Sequence, residues 1–276
     1  MKFIHSLSTR PMRINCYGID GMRRMLSQIW YFSLSVAYLK SAGAEVVLHT
    51  DSLGKAMLGH LPYDEIHLTL DRMPADIHPR FWAAGKFIAL KAENGRCMHI
   101  DGDVFIKRKS LVDKISSAIE ENDIVLQGRD SAKMYALEIP LFKKEKEFSE
   151  AHGCYPDGAD AYNTGIIGVK DDTIREAIIE NYMTITKYFS KRHREELDKQ
   201  TVLTPDLLAE QKMIEGLSRE KQWRVHLLLE GGKNATQLGY QHVFSIDKFN
   251  ALPSCKATLA KVSPEIYAST LRLCGE

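Results

Sequence analysis

The sequence predicts an α/β fold with an open, largely parallel sheet and helices on both faces. Two observations lead to this prediction. Through the first half of the chain, apolar β-rich segments alternate with segments whose apolar residues recur at helical spacing. Such β-α-β alternation is typical of sheets in which neighbouring strands run parallel. In addition, one apolar strand at mid-chain runs directly into the acidic motif Asp101-Gly102-Asp103.

The composition is that of an ordinary globular protein. The chain has 276 residues, of which 44% are hydrophobic and 26% are charged. These values argue against disorder, collagen-like repeats and small disulfide scaffolds, and a chain of this length can fold without a disulfide or metal staple. The 37 basic and 36 acidic residues give a formal net charge of +1. We therefore expect no overall field for binding nucleic acid or an anionic membrane.

The N-terminus and the cysteines predict a soluble cytoplasmic protein. The first residues lack the apolar stretch of a secretory signal. The most apolar helix candidate, residues 25–39, is interrupted by serines and a glutamine, so we do not expect it to span a membrane. The five cysteines are odd in number, scattered and without zinc-ligand spacing. We therefore expect reduced, structural thiols.

Predicted elements follow each other closely in the first half of the chain. Strands are predicted over residues 2–6, 45–50, 65–70, 96–100, 104–106 and 123–127. Helices are predicted over residues 24–40, 80–93 and 110–120. Gly43 is placed to end the first of these helices, and Pro79 lies where a first helical turn tolerates proline.

The second half of the chain begins with a predicted long loop, residues 128–161. This segment is charged, contains Gly153, Pro156 and Gly158, and has little periodicity, which in a compact domain indicates a functional loop or a missed element. Beyond it we predict a strand over 163–169, helices over 172–191 and 205–217, a strand over 222–229 and a last helix over 264–273. Because no linker or repeat is visible, we predict one domain, residues 1–250, with a helical tail, residues 251–276, packed on it.

The most informative segment is the strand that ends in Asp101-Gly102-Asp103. Residues two apart in an extended backbone point to the same side, so Asp101 and Asp103 can direct two carboxylates at one point. Gly102 permits tight backbone geometry and the close approach of a ligand. Because two unpaired carboxylates repel each other, such a pair favours a shared hard cation. The alternative interpretation is a solvated turn after a buried strand.

Together with three further segments in matching order, this motif resembles the GT-A fold of nucleotide-sugar-dependent glycosyltransferases, in particular the glycogenin and lipopolysaccharide galactosyltransferase group. Residues 82–90 resemble the helix that precedes the DxD strand and carries a basic residue near the donor. Residues 162–167 resemble the Asn-small-Gly strand on the acceptor side of the donor site. Residues 242–248 resemble an HxxGxxK element, with Ser245 in the glycine position.

The resemblance implies a Rossmann-like open mixed sheet and a metal site. Asp101, Asp103 and His242 would hold Mn²⁺ or Mg²⁺, because two carboxylates and a neutral imidazole suit these ions. The residues implied to bind the donor are Lys86, Asp101, Asn163 and Lys248. The residues implied to act at the anomeric carbon or on the acceptor are Glu210, Gln211 and Asp160.

The implied activity is metal-dependent transfer of a sugar from a nucleoside diphosphate sugar, with UDP expected, to an acceptor hydroxyl with retention of configuration. The acceptor would be a glycan, a lipid-linked molecule or a small molecule, and no nucleic acid is expected as a partner. Asp51, at the end of the second predicted strand, fits a nucleoside contact and a helix cap equally well.

Three alternatives stay open at this point. Asp101 and Asp103 also fit the signature of a haloacid-dehalogenase-type phosphotransferase, with Asp101 as nucleophile and with Asp171 and Asp172 as its acidic pair. Its motif normally ends the first strand of the domain, whereas several β-α units precede Asp101 here. A sugar-nucleotide pyrophosphorylase is disfavoured because its Gly-rich loop is absent near residues 8–14. A sugar-nucleotide-binding relative without turnover is the third alternative.

Overall fold

The computed structural model describes residues 1–13, 21–136, 139–199, 205–230, 234–243 and 247–275. Within these residues, seven strands form a central sheet: β1 (Lys2–Leu7), β2 (Glu45–Thr50), β3 (Glu65–His67), β4 (Cys97–Ile100), β6 (Ile124–Asp130), β7 (Ala161–Val169) and β8 (Val225–Leu227). Two short strands, β5 (Val104–Ile106) and β9 (Tyr240–His242), form a separate antiparallel pair.

The order of strands across the central sheet is β3-β2-β1-β4-β7-β6-β8. Strand β1 is parallel to β2 and β4, and β2 is parallel to β3. Strand β7 is antiparallel to both of its neighbours, whereas β6 and β8 are parallel. The predicted class, an α/β chain with an open and mixed sheet, is therefore confirmed. Because β7 is reversed, its first half lies beside the carboxyl end of β4, where Asp101 follows.

Thirteen α-helices lie among the described residues, together with two 3₁₀ turns and one π-helical segment. The α-helices are α1 (Arg10–Arg13), α2 (Gly21–Ser41), α3 (Ser52–Leu58), α4 (Ala84–Lys91), α5 (Lys109–Glu121), α6 (Ile139–Lys144), α7 (Lys146–Ala151), α8 (Asp172–Arg192), α9 (Arg194–Lys199), α10 (Met213–Glu220), α11 (Ala235–Leu238), α12 (Asp247–Val262) and α13 (Pro264–Cys274). The predicted stop after α2 is confirmed, because Gly43 has a φ of +78°, in the left-handed region that glycine adopts readily.

Helices cover both faces of the central sheet. Neighbouring residues of a strand point to opposite faces, so Phe3 joins an apolar cluster with Val36 of α2, whereas Ile4 joins another with Phe87 of α4 and Tyr182 of α8. The rings of Phe87 and Tyr182 stack with their centroids 3.9 Å apart. This contact fixes α4 between the sheet and α8.

The last two helices pack on α2 through a third apolar cluster. Trp30 of α2 and Leu259 of α12 are both buried in it. The hydroxyl of Tyr31 also donates a hydrogen bond to the carbonyl oxygen of Lys248. Helix α12 begins at Asp247, so it crosses the predicted boundary between residues 250 and 251 and carries Lys248 in its first turn.

Several predicted elements are shorter than expected. The strand predicted over 65–70 ends at His67, and Thr69–Arg72 form a 3₁₀ turn in which Asp71 accepts a hydrogen bond from the backbone nitrogen of Ser52 at 2.8 Å. The helix predicted over 80–93 begins only at Ala84, and the backbone nitrogen of Ala83, directly before it, donates to Asp206 at 2.8 Å. Of the strand predicted over 222–229, β8 covers Val225–Leu227, and the backbone nitrogens of Leu228 and Leu229 donate further hydrogen bonds to the carbonyl oxygens of Leu126 and Gln127.

The prediction of a long loop over residues 128–161 is wrong. Strand β6 continues to Asp130, a 3₁₀ turn covers Ala132–Tyr135, and helices α6 and α7 follow. Each of these helices has six residues, which is too short to give a readable helical period. Leu141 and Phe142 anchor α6 in the same cluster as Phe87.

Two further predictions concern the cysteines, which were expected to be reduced thiols, and the helices, none of which was expected to span a membrane. Cys97, Cys154 and Cys255 are buried free thiols, Cys274 is partly buried, and Cys16 lies outside the described residues. Among the helices of the described part of the chain, none has the length and apolarity needed to cross a membrane.

We predict that Phe87→Ala lowers the free energy of unfolding by about 3–5 kcal/mol, because it removes a fully buried ring and leaves a cavity beside Tyr182. Leu53→Ala is the control, since Leu53 is exposed and its loss is expected to change stability by less than about 0.5 kcal/mol. Urea unfolding of both variants measures the difference. Equal stability of the two variants would contradict the packing described here.

Candidate functional site

Asp101 and Asp103 follow β4 at the centre of the sheet. The backbone nitrogen of Asp101 donates to the carbonyl oxygen of Gly165 at 2.9 Å, which holds the start of the motif against β7. The side chain of Asp101 is 20% exposed and that of Asp103 is 7% exposed. Gly102 is needed for a reason other than the predicted approach of a ligand, because a Cβ at this position would overlap the ring of Phe32.

Lys86 of α4 is buried and connects three parts of the site. Its ammonium lies 3.0 Å from Oδ1 of Asp101 and 2.7 Å from Oε1 of Glu210, and it donates to the carbonyl oxygen of Thr164 at 2.9 Å. Burial opposes the charge of Lys86, but the two carboxylates outweigh it and raise the pKa of this lysine. All three N–H groups of the ammonium are therefore used in contacts within the protein.

Asp103 faces residues from the C-terminal part of the chain. Its Oδ1 lies 3.4 Å from Nε2 of His242, and its Oδ2 forms an ion pair with Nζ of Lys248. Burial opposes the ionisation of Asp103, but Lys248 and His242 outweigh this effect and hold the pKa of Asp103 below its usual range. Strand β9 reaches this position because His242 is the register partner of Val104, directly after the motif.

The tautomer of His242 is set by Gln127 of β6. Oε1 of Gln127 lies 2.7 Å from Nδ1 of His242 and also accepts a hydrogen bond from the hydroxyl of Tyr240 at 2.6 Å. Since a carbonyl oxygen only accepts, Nδ1 of His242 carries a proton, and Nε2 is the ring nitrogen directed at Asp103. Metal-ligating histidines have the same arrangement, in which one ring nitrogen donates to an acceptor of the protein and the other is directed at the site.

Gly165 of β7 gives His242 and Gln127 the room for this contact. A Cβ on Gly165 would lie 2.5 Å from Oε1 of Gln127 and 2.5 Å from Cε1 of His242. Real Cβ atoms do not approach other atoms this closely, so any side chain here would displace the imidazole. The glycine of the Asn163-Thr164-Gly165 segment is thus required by the histidine from β9.

Asn163 lies two residues before Gly165 in β7, and its side chain hydrogen-bonds to the backbone of Gly165. Its Oδ1 accepts from the backbone nitrogen of Gly165 at 2.9 Å, and its Nδ2 donates to Oδ2 of Asp130 at 2.8 Å. Burial raises the pKa of Asp130, and the hydrogen bond from Asn163 reduces this rise. Asp160 lies apart from these contacts: it is exposed, and its Oδ1 accepts from the backbone nitrogen of Ala132 at 3.1 Å.

The helix predicted over 205–217 begins as a π-helical segment, Leu207–Lys212, and continues as α10. The wider turn buries three consecutive polar residues with different surroundings. Glu210 pairs with Lys86, and Lys212 pairs with Asp157 at 2.8 Å. Oε1 of Gln211 is buried and has no hydrogen-bond partner among the described residues. A buried acceptor without a partner is expected where a ligand supplies the donor.

Asp206 lies one turn before Glu210 and is completely buried. It accepts hydrogen bonds from the backbone nitrogen of Ala83 at 2.8 Å and from the hydroxyl of Tyr182 at 2.7 Å. Burial, together with the nearby carboxylate of Glu210, raises the pKa of Asp206 to about 8. This carboxyl is therefore largely protonated at neutral pH, which limits the negative charge beside Glu210.

The charges of the site leave room for a cation. When ionised, Asp101, Asp103 and Glu210 carry one negative charge more than Lys86 and Lys248 supply. Burial raises the pKa of Asp101 to about 6, although Lys86 opposes the rise, so this carboxylate is mostly ionised at neutral pH. Ligand atoms of Asp101, Asp103 and His242 all lie within 4.8 Å of one another. Two carboxylates and one imidazole are a ligand set that fits a divalent ion such as Mn²⁺.

Sequence reasoning missed the residues that support this cluster. Gln127, Tyr240 and Asp130 are single polar residues within strands and give no motif. Asp206 does give a signal, since it stands four residues before Glu210 in a helical pattern.

Two other predictions about single residues have different outcomes. Asp51 caps α3, with Oδ1 accepting from the backbone nitrogen of Gly54 at 2.8 Å, and it also accepts from Thr9, so of its two interpretations the structure favours the cap. Ser245, in the glycine position of the HxxGxxK-like element, lies outside the described residues.

Comparisons with known proteins give one family and several similar folds. A family model described as "Family of unknown function (DUF6734)" matches residues 1–263. No curated protein matches the sequence.

Among solved structures, mouse xyloside xylosyltransferase 1 is similar at 13% identity and a TM-score of 0.42, over 89% of this chain and 96% of that one. The galactosyltransferase LgtC, solved with donor and acceptor sugar analogues, is similar at 10% identity and a TM-score of 0.41, over 98% of this chain and all of that one. The glycosyltransferase GlyE of Streptococcus pneumoniae is similar at 11% identity and a TM-score of 0.46, over 98% of this chain and 64% of that one. At these identities and TM-scores, the activity of this chain has to be inferred from its own site.

We predict that Gly165→Ala weakens Mn²⁺ binding by about 10- to 100-fold, because it displaces His242 and its supporting Gln127. Gly128→Ala is the matched control, since a Cβ there would lie 3.5 Å from Cβ of Leu229, an ordinary contact. Calorimetric titration of the metal-free proteins, with circular dichroism as a check on folding, measures the difference. Equal affinity in the two variants would show that His242 does not need this space.

We predict that the stability of the wild-type chain falls relative to that of Asp206→Asn as the pH rises from about 4 to about 8. The pKa of Asp206 is raised from 3.8 to about 8, so in this range the folded state holds a proton that the unfolded state has lost. One such proton changes the free energy of unfolding by about 1.4 kcal/mol per pH unit. Urea unfolding at several pH values measures it, and parallel profiles for the two proteins would contradict the assignment.

Proposed function

This chain belongs to the DUF6734 family, and we propose that it is a metal-dependent glycosyltransferase that moves a sugar from a nucleoside diphosphate sugar to an acceptor hydroxyl. We propose UDP as the nucleotide and Mn²⁺, or Mg²⁺, as the ion. The observation that carries the proposal is the cluster of Asp101, Asp103 and His242, whose ligand atoms lie within 4.8 Å of one another beside Lys86 and Lys248.

The residues of the cluster fit a divalent ion and a diphosphate together. Asp101, Asp103 and Nε2 of His242 would hold the ion, while Gln127 keeps the imidazole in the required tautomer. Such an ion, when bound, supplies Lewis-acid stabilisation to the leaving nucleoside diphosphate. A site with one excess negative charge favours the cation first, and the anionic donor would then bind to the loaded site.

The two lysines would have different roles. Lys248 is 27% exposed and stands in the first turn of α12, so its ammonium can exchange the carboxylate of Asp103 for a donor phosphate. Lys86 is 3% exposed and fully occupied by protein oxygens. It would act as a positioning residue that keeps Asp101 and Glu210 in place, rather than as a phosphate ligand.

The acceptor side would be formed by the π-helical segment and β7. Gln211 offers a buried, unsatisfied oxygen that can accept a hydrogen bond from a sugar or acceptor hydroxyl. Glu210 beside it supplies a buried negative charge, and Asn163 would hydrogen-bond the donor sugar through a remaining N–H. Asp160, at the exposed start of β7, would contact the acceptor as it arrives from solvent. Retention of configuration is proposed from the sequence resemblance.

The phosphotransferase alternative needs Asp171 and Asp172 near Asp101. Register pairs Cys97 with Val169, so the end of β7 lies at the beginning of β4, the opposite end from Asp101. There Asp172 accepts from the backbone nitrogen of Gly95 at 2.7 Å, and Asp171 caps α8. The acidic pair of this alternative is thus separated from its nucleophile by the length of the strand.

We predict that UDP binds to the wild-type chain only in the presence of Mn²⁺ and that Asp103→Asn weakens this binding by more than about tenfold. Asp113→Asn is the matched control, because Asp113 is an exposed aspartate whose ion pair with Lys109 measures 3.2 Å. Calorimetric titration of UDP into each protein, with and without Mn²⁺, is the measurement. Absence of UDP binding in the wild type, or equal binding in Asp103→Asn and Asp113→Asn, would refute the proposed function.

The same proteins separate the remaining alternatives. Slow Mn²⁺-dependent hydrolysis of a UDP-sugar without acceptor identifies a working transferase, whereas UDP binding with no hydrolysis identifies a relative without turnover. Release of nitrophenol from p-nitrophenyl phosphate that disappears in Asp101→Asn would instead support the phosphotransferase. A thermal-shift screen of UDP-, GDP- and CDP-sugars with Mn²⁺ would identify the donor, because ligand binding stabilises the folded state.

A further inference from the structure

A second cluster of metal-ligand type lies at the β3 edge of the sheet, away from the DxD motif. It consists of His49 of β2, His67 of β3 and Glu93, two residues after α4, and one ligand atom from each lies within 4.8 Å of the others. His49 and His67 are register partners on neighbouring parallel strands, so their side chains share one face of the sheet. Their ring centroids are 5.0 Å apart.

Each of the three residues is oriented by a further partner. Nδ1 of His49 lies 2.9 Å from Oγ1 of Thr69, while its Nε2 lies 2.9 Å from Oε1 of Glu93. Nε2 of His67 lies 2.8 Å from Oε2 of Glu65. A carboxylate or hydroxyl on the far side of each histidine is the usual outer arrangement of a metal site.

The remaining oxygen of Glu93 is also held. Its Oε2 accepts a hydrogen bond from Nζ of Lys2 at 2.8 Å, which leaves Oε1 directed towards His49. The hydrogen bond to Glu93 raises the pKa of Lys2, and the nearby carboxylates of Glu45 and Glu65 raise it further. Three carboxylates thus surround one ammonium, so the area has an excess of negative charge.

Burial and access also suit a bound ion. The side chain of His49 is 1% exposed and that of Glu93 is 7% exposed, whereas that of His67 is 41% exposed. The exposed His67 gives an ion a path from solvent, and a water molecule can complete the coordination.

We propose that His49, His67 and Glu93 form a binding site for a divalent transition metal ion of the zinc type, distinct from the DxD site. Two imidazoles and one carboxylate are a ligand set that binds Zn²⁺ in preference to Mg²⁺ or Mn²⁺, because the latter two ions prefer oxygen ligands. The ion would replace the hydrogen bond between His49 and Glu93 and would tie the β2–β3 edge to the end of α4. The site does not depend on the proposed transferase activity.

The test uses the full chain carrying Asp103→Asn, so that the DxD site is weakened in every sample. Calorimetric titration of Zn²⁺ into this metal-free protein is expected to give one tight site per chain. His67→Ala, added to it, is expected to weaken binding by at least about 100-fold, and Glu65→Gln by about 10- to 100-fold. His152→Ala, which removes a histidine outside both clusters, is the control and is expected to bind like the parent.

A second readout keeps the test valid if one variant folds poorly. Zn²⁺ is expected to raise the melting temperature of the Asp103→Asn protein but not that of the protein that also carries His67→Ala. Circular dichroism without metal verifies that both are folded, which the exposure of His67 favours. Absence of a tight Zn²⁺ site, or equal binding in His67→Ala and His152→Ala, would overturn the proposal and leave His49 and Glu93 as a buried hydrogen-bonded pair only.

Discussion

The buried ammonium of Lys86 is the contact on which the rest of the site depends. It bonds to Asp101 after β4, to the carbonyl oxygen of Thr164 in β7 and to Glu210 in the π-helical segment. Removing one partner of such a buried pair leaves a charge without compensation and costs about 3–5 kcal/mol. Lys86 thus holds the end of β4, strand β7 and the π-helical segment together. The position of Asp101 is therefore fixed before any ligand binds.

Much of the fold could be predicted because its signals are local. The strand over residues 45–50 and the short strand 104–106 were located correctly, since β-rich runs with clear ends have few alternatives. The contact between Asp103 and His242 could not come from periodicity. It was expected only because residues 242–248 resemble a known element. In the structure, the pairing of β5 with β9 brings the two side chains to within 3.4 Å of each other.

The parts that could not be predicted depend on contacts between distant residues. Helices α6 and α7 are too short to produce a period, and packing of Phe142 rather than local propensity stabilises them. Nothing in the sequence around Gln127 indicates its role, because that role depends on its contacts with Tyr240 and His242 of β9. It also could not be predicted that oxygens of the protein accept all the hydrogen bonds of the Lys86 ammonium, because the sequence shows a basic residue but not the carboxylates that surround it.

The π-helical segment Leu207–Lys212 has a consequence for how this family can vary in length. A π-helical turn contains one residue more than an α-helical turn, so it can arise from, or be lost by, a single-residue insertion or deletion. Loss of one residue would regularise the helix and rotate what precedes it by about 100° relative to α10. The ion pair between Glu210 and Lys86 would then be lost. Relatives that retain this site should therefore conserve the spacing between Asp206 and α10 more strictly than the lengths of nearby loops.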